Sequence, residues 1–321
     1  MRNYRNLLNA KRLVIDGALG TELENLLTSS TFKPSSSPLW SGQVLIEDPQ
    51  LIEKVHKSYI EAGANIIITS TYQTSYKSLK KYLNYSDDEI YKLWENAVIV
   101  ANNAKSKSIN TEDIIIAGSI GPYATYLANG SEYTGDYGDI TKEELIDYHT
   151  PLLKFLINSE GIDIIAIETI PNFSELQVII DLIKKYDTKQ VFISINCQNS
   201  ENLSDGTQLN QVSEYVSSQL SDKDENFLAF SINCTDFQLI SDIIPKFQNF
   251  PLFIYPNLGY EYDEKTHLFI IKEHKSIFFS SEIKNWLKYD NVKAIGGCCS
   301  VSPVEIKQIA KLVNDFNEEN K

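Results

Sequence analysis

Eight short runs of mostly β-branched apolar residues, each followed by a longer amphipathic stretch, order the whole of this 321-residue chain. The runs are Leu13–Asp16, Asn65–Thr69, Ile114–Gly118, Ile162–Ile167, Val191–Asn196, Phe227–Ile232, Leu252–Tyr255 and Val292–Ile295. Continuous apolar runs of this length mark strands buried on both faces, as in a parallel sheet. Helical spacing fills the intervals: Pro49–Ala62, Asp87–Ala104, Lys142–Asn158, Ser174–Tyr186, Leu209–Leu220, Phe237–Phe247, Ser280–Lys288 and Pro303–Phe316. Strict alternation implies right-handed crossovers, and eight repeats are the number that closes into a (β/α)8 TIM barrel. A barrel occupies about 250 residues as one unit, so there is room for insertions. A doubly wound open sheet is the alternative arrangement of the same elements. No break in composition divides the chain, and residues 1–321 read as a single α/β domain.

Cap signals support the helices. Asp48 before Pro49 and Ser302 before Pro303 each place a cap ahead of a proline at the first helical position, and Thr141 with Glu144 forms a capping box. The Ser- and Pro-rich stretch Thr28–Gly42 and the Gly-, Tyr- and acid-rich stretch Tyr123–Asp139 are predicted as long βα loops. In a barrel such loops lie over the C-terminal face, where active sites form.

Composition narrows the partners. With 29 Lys+Arg against 43 Asp+Glu the formal charge is −14, and the basic residues are scattered, so nucleic acid and anionic membranes are not expected as ligands. No run of about 18 apolar residues is available to span a bilayer, and the polar N-terminus lacks a signal pattern. The expected location is the cytoplasm. Four cysteines are too few for a disulfide scaffold and read as buried thiols, metal ligands or nucleophiles.

Polar and reactive residues collect just after the predicted strands. The strand ends read Asp16-Gly17-Ala18-Leu19-Gly20-Thr21-Glu22, Thr69-Ser70-Thr71-Tyr72-Gln73, Gly118-Ser119-Ile120-Gly121-Pro122-Tyr123 and Glu168-Thr169 in the first half. Asn196-Cys197, Asn233-Cys234-Thr235, Pro256-Asn257 and Gly296-Gly297-Cys298-Cys299 follow in the second, so every cysteine stands at a strand end. A single such cysteine reads as a buried, inert thiol. Cys234, Cys298 and Cys299 together can converge in a closed barrel, and three thiolates match a catalytic zinc site that keeps a fourth position for substrate. Gly296 and Gly297 free the backbone to turn both adjacent sulfurs toward one metal. Cys197 is read as a packing residue.

The four histidines fall in helices or in the polar stretch after the seventh strand and are expected at the surface or as caps. That disfavours a Ser-His-Asp triad and a His-ligated zinc, and no dinucleotide or P-loop motif follows a strand. Asp16 and Glu168 each end an apolar strand at the mouth. Either alone can be an ordinary cap or ion-pair partner. Beside a thiolate-rich metal, the two suit a substrate that carries both an ammonium and a thiol, held by charge-assisted hydrogen bonds.

These residues resemble a known family. Asp16-Gly17-Ala18-x-Gly20-Thr21-Glu22-Leu23, Ala62-Gly63-Ala64-Asn65, Thr71-Tyr72-Gln73, Gly121-Pro122-Tyr123 and Glu132-Tyr133-Thr134-Gly135-Asp136-Tyr137 carry the likeness in the first half. Glu168-Thr169-Ile170-Pro171, Asn233-Cys234, Tyr255-Pro256-Asn257 and Gly296-Gly297-Cys298-Cys299 continue it to about Val313. The chain is similar to the zinc-dependent homocysteine S-methyltransferases. One departure follows the cysteine pair: Ser300-Val301-Ser302-Pro303 stands where the family has a basic or small residue and threonines, so that loop is expected to differ.

The resemblance implies a barrel that binds Zn2+ through Cys234, Cys298 and Cys299, with the sulfur of homocysteine as the added ligand. It implies methyl transfer from a sulfonium donor, S-methylmethionine or S-adenosylmethionine, to give methionine, with Asp16 and Glu168 on the ammonium. Gly17, Thr21, Glu22 and Asn233, in the same motifs, are expected to bind substrate. Trp40, Tyr72, Tyr123 and Tyr133 are candidate faces for the cationic donor through cation–π contact. Two other readings use the same barrel: a betaine-type homocysteine methyltransferase, and a non-catalytic zinc or thiol sensor. Ammonium-binding acids argue against the sensor.

Overall fold

The computed structural model describes residues 3–27, 33–109, 111–221, 224–263, 268–270 and 276–320. All eight predicted strands form: β1 (Leu13–Val14), β2 (Ile66–Ile68), β3 (Ile115–Ile120), β4 (Ile164–Ile170), β5 (Val191–Ile195), β6 (Phe227–Asp236), β7 (Leu252–Asn257) and β10 (Val292–Ile295). Between the last two, β8 (Glu261–Asp263) and β9 (Leu268–Ile270) make a separate antiparallel pair. The barrel strands are parallel in the order β1-β10-β7-β6-β5-β4-β3-β2. The ring closes where Asn65 N–H donates to the Val14 carbonyl at 2.7 Å and Asp16 N–H to the Ile66 carbonyl at 3.0 Å. The fold is therefore the closed (β/α)8 barrel, not the open sheet.

Strand alternation decides which residues enter the barrel. Leu13, Ile15, Ile66, Ile115, Ala117, Ile164, Ala166, Phe192, Phe253, Tyr255 and Ala294 form one buried cluster inside it. Ile116, Ile165, Ile167, Ile193 and Ile254 belong to the second cluster, packed under the helices. Continued one step toward the C-terminal end, the inward parity of β3 and β4 reaches Ser119 and Glu168. Polar side chains thus replace apolar ones in the uppermost layer. The lower end is plugged by a helix that the polar N-terminus does not advertise, Tyr4–Ala10, whose Tyr4 and Leu8 join the interior cluster. Tyr4 also donates its hydroxyl to Asp163 at 2.8 Å.

The caps form as expected: Asp48 accepts from Leu51 N–H at 3.1 Å, and Thr141 with Glu144 and Ser302 with Glu305 make reciprocal capping boxes. The expected helix Phe237–Phe247 is instead three short segments, 3₁₀ at Phe237–Leu239, α at Ile240–Ile243 and 3₁₀ at Ile244–Phe247. Pro245 has no N–H to give to an α-helical ladder, which explains the tightened last turn.

Two of the histidines expected at the surface are buried. His149 is 2% exposed, with Nε2 2.8 Å from Glu175 Oε1. His56 is fully enclosed in the helix Pro49–Ala62, and neither ring nitrogen has a hydrogen-bond partner among the described residues. Their helices bury one apolar face against the barrel, and each histidine falls on that face. His267 and His274 lie outside the described residues. Burial pulls the His56 pKa down to about 4. The unfolded chain therefore takes up this proton first as pH falls below about 6.5, and stability is lost from there down toward pH 4. Lowering the pH from 6.5 to 5 is expected to remove about 1.6 kcal/mol through this residue. Urea-unfolding midpoints of the His56→Leu variant should show that part of the acid loss abolished; an unchanged acid limb would refute it.

Candidate active site at the barrel mouth

The C-terminal ends of β6 and β10 bring Cys234, Cys298 and Cys299 together, with one sulfur of each within 4.8 Å of the other two. Cys234 and Cys299 Sγ lie 3.6 Å apart, and Cys298 and Cys299 Sγ 4.0 Å apart. Thiolates bound at about 2.3 Å to one tetrahedral metal stand about 3.8 Å from each other, so the spacing fits a three-thiolate zinc site. All three are free thiols, as is Cys197, which lies outside the group. Cys197 is buried, and that burial pushes its thiol up to about 12. It is a packing residue, as expected.

One member of the cluster, Cys299, is poised to carry negative charge. Hydrogen bonds from Cys234 and Cys298 hold the Cys299 thiol well below its ordinary pKa. Sharing with Cys298 and Cys299, then burial, pushes Cys234 up. The Tyr133 hydroxyl also bonds to Cys299. Tyr133 sits on the loop over the mouth, half exposed, with its hydroxyl raised first by the charge of Cys299.

Local backbone explains the convergence. Cys234 adopts φ +51°, a left-handed conformation that swings its side chain off the strand alternation. Gly297 is needed because a Cβ there would stand 2.1 Å from Val301 Cγ1. Val301 belongs to the departure after the cysteine pair. It is fully buried, and its carbonyl accepts from Ala18 N–H at 3.0 Å and Tyr59 hydroxyl at 3.1 Å. The unusual loop thus packs the cysteine turn onto the end of β1.

Asp16 lies close enough to Glu168 to feel its charge, and both are buried. Burial raises Asp16 well above the carboxylate range, against a hydrogen bond from Ile68 N–H at 2.9 Å. Burial pushes Glu168 up to about 7, against hydroxyl donation from Ser119 and Tyr255. Among the described residues neither acid has an ion-pair partner, and two buried carboxyls in such a place mark a candidate functional site.

The other expected site residues divide. Tyr72 is at the mouth, hydrogen-bonded to Thr169 and sensitive to the charges of Glu132 and Cys234. Thr21 Oγ1 accepts from Ser300 N–H at 3.2 Å and so steadies the cysteine loop. A Cβ on Gly17 would meet the Val301 carbonyl oxygen at 2.4 Å, so this glycine permits close contact of two loops. Glu22 faces Asn25 and Glu305. Trp40 lies against Gly20, and Tyr123 packs in a cluster with Tyr126, Tyr137 and Tyr148 at centroid distances of 5.3–5.4 Å. The structure therefore gathers Tyr72 and Tyr133 near the sulfurs and gives Tyr123 aromatic neighbours instead.

Ser119, Tyr255 and Glu132 are site residues to which the motifs assigned no role. Glu132 is a largely enclosed acid whose carboxyl is raised by its burial and by Cys299. Strand parity was a usable signal for Ser119 and Tyr255; Glu132 opens one of the family-like motifs but lies on a loop, where parity gives its side chain no direction. Glu175, also unassigned, is fully buried and ties the loop down: it accepts from Tyr123 N–H and Tyr137 hydroxyl, both at 2.6 Å, and faces His149.

A closed barrel with three converging thiols and two buried acids at its C-terminal mouth has the layout of a barrel enzyme's active site. The homocysteine S-methyltransferase family model matches residues 13–313. Homocysteine S-methyltransferase YbgG of Bacillus subtilis is 34% identical over 308 residues, 93% of this chain and 93% of its own. Homocysteine S-methyltransferase 3 of Zea mays is 35% identical over 318 residues, covering 94% of this chain and 90% of its own. The crystal structure of the homocysteine methyltransferase MmuM from Escherichia coli, metallated form, superposes with a TM-score of 0.80 at 29% identity, over 97% of this chain and 99% of that one. The chain belongs to the homocysteine S-methyltransferase family and is an enzyme of that family.

Proposed function

We propose that the protein transfers a methyl group from a sulfonium donor, S-methylmethionine or S-adenosylmethionine, to the sulfur of homocysteine, giving methionine. The observation that carries this reading is the three-sulfur cluster, within 4.8 Å, beside the buried acids Asp16 and Glu168. Cys234, Cys298 and Cys299 would hold a zinc ion, which when bound keeps the acceptor sulfur as a thiolate at neutral pH. That the related MmuM has been crystallised in a metallated form supports metal binding by this protein as well.

The chain's own residues bind, orient and exclude water. Asp16 and Glu168 take the ammonium and fix one end of the amino acid, which aims its sulfur at the cysteine cluster. The Tyr133 loop covers the other side, where Tyr72 and Tyr133 present ring faces to a cationic donor. In the transfer, the acceptor sulfur forms the new S–CH3 bond as the methyl–sulfonium bond breaks. The donor leaves as a neutral thioether, and no general acid is required. All four cysteines are free thiols, which agrees with action in a reducing cytosol.

The test is methionine formation by zinc-loaded protein given homocysteine with S-methylmethionine, S-adenosylmethionine or betaine in separate reactions. Turnover with a sulfonium is expected. Turnover with betaine alone would replace the proposed donor class, and no turnover with homocysteine binding intact would favour a sensor.

A further inference from the structure

Two irregularities in the barrel sheet face each other across β5. Between β4 and β5 the register passes from Ile167↔Ile193 to Ile170↔Ile195, so β4 carries an extra residue beyond Ile167. Between β6 and β7 it passes from Asn233↔Tyr255 to Asp236↔Asn257, an extra residue beyond Asn233. Each irregularity holds a non-glycine residue in the left-handed region, Thr169 at φ +59° and Cys234 at φ +51°. For a β-branched threonine that conformation is a genuine outlier and persists only where the surroundings impose it.

What imposes it is the Asn233 side chain, 1% exposed. Its Oδ1 accepts from Thr169 N–H at 3.0 Å and from Ser194 Oγ at 2.7 Å. Its Nδ2 donates to Thr169 Oγ1 at 2.7 Å. One amide thus spans β6, β5 and β4, and the residues next to its two ends are Cys234 and Glu168. The amide oxygen thus accepts twice and Nδ2 donates once, all to protein.

We infer that Asn233 is a positioning residue for acceptor specificity: its brace to Thr169 and Ser194 fixes the span between the Glu168 carboxylate and the Cys234 sulfur, and so selects the length of an amino thiol. The inference rests on the proposed function, because that span matters only if one substrate bridges both points. Bulges re-aim side chains at barrel rims, and here two are locked to each other. A substrate shorter by one methylene cannot reach both ends, and such a difference is worth about 10- to 200-fold.

The experiment measures calorimetric affinities of the zinc-loaded protein for homocysteine and cysteine, in wild type, Asn233→Ala, Ser194→Ala, Thr169→Gly and Asn233→Ala/Thr169→Gly. Wild type is expected to prefer homocysteine at least tenfold. Asn233→Ala should retain stoichiometric zinc yet reduce that preference at least fivefold, with Ser194→Ala changing it in the same direction. Glycine occupies the left-handed region without help, so Asn233→Ala should do at least threefold less damage to the preference in the Thr169→Gly background. An unchanged preference in Asn233→Ala and Ser194→Ala, or equal penalties in both backgrounds, would overturn the brace. Wild type binding neither amino acid would sink the functional reading instead. The brace would then stand or fall on urea unfolding, where Asn233→Ala should lower the folding constant less in the Thr169→Gly background than in wild type.

Discussion

Replacing Cys298 by serine is expected to remove metal and turnover together, with activity falling more than about 100-fold, the upper range for disturbing even the outer shell of a metal site. The serine hydroxyl keeps the size of the side chain but stays protonated at neutral pH and is a harder donor, so a soft three-thiolate set becomes two thiolates and an alcohol. Cys298 Sγ is 4.0 Å from Cys299 Sγ and has no substitute, since Cys197 is outside the group. Elemental analysis alongside kcat decides the matter: stoichiometric zinc in Cys298→Ser would contradict the ligand assignment. Cys197→Ser is the control and should keep both metal and turnover.

The second large effect is a pH dependence in binding an amino acid that has no thiol. Methionine does not titrate between pH 5.5 and 8, so changes in its affinity there report on the protein. Burial pushes Glu168 up to about 7, which means the carboxyl is increasingly protonated below that pH. An ammonium needs the ionised form, so methionine affinity should fall as pH drops through 7, approaching tenfold per unit. At pH 8 the Glu168→Gln variant should bind methionine about 10- to 100-fold more weakly, from a charge-assisted hydrogen bond of about 1.5–3 kcal/mol, and should lose the step near pH 7. A Glu168→Gln profile parallel to wild type would assign the ammonium elsewhere.

The fold was largely legible because barrel strands are buried on both faces, and β-branched runs between capped helices leave few other arrangements. The three sulfurs were legible for a related reason: each follows a strand, and a closed barrel sends all strand ends to one rim. Less legible was whatever depends on side-chain direction. Trp40 and Tyr123 are candidate donor faces by residue type alone, and composition could not foresee that Trp40 lies against Gly20 or that Tyr123 meets Tyr137 and Tyr148 edge-on. His56 and His149 looked like surface residues because a single histidine in a helix does not disclose which face it occupies. Asn233 stands beside Cys234, which suggested a substrate contact; what no motif suggested is that its amide also bonds to Thr169 and Ser194. The brace is a relation between three strands, and no local pattern encodes it.

The inward parity of β4 (Ile164, Ala166, then Glu168) implies an uneven tolerance of this molecule to change in length. Loops over the rim can grow or shrink while the acid keeps its aim. One residue inserted between Ile164 and Ala166 would turn the carboxylate outward, into the layer now filled by Ile165 and Ile167, and bring an isoleucine into the reaction chamber. Natural variation in this enzyme should therefore concentrate its insertions and deletions outside the strands.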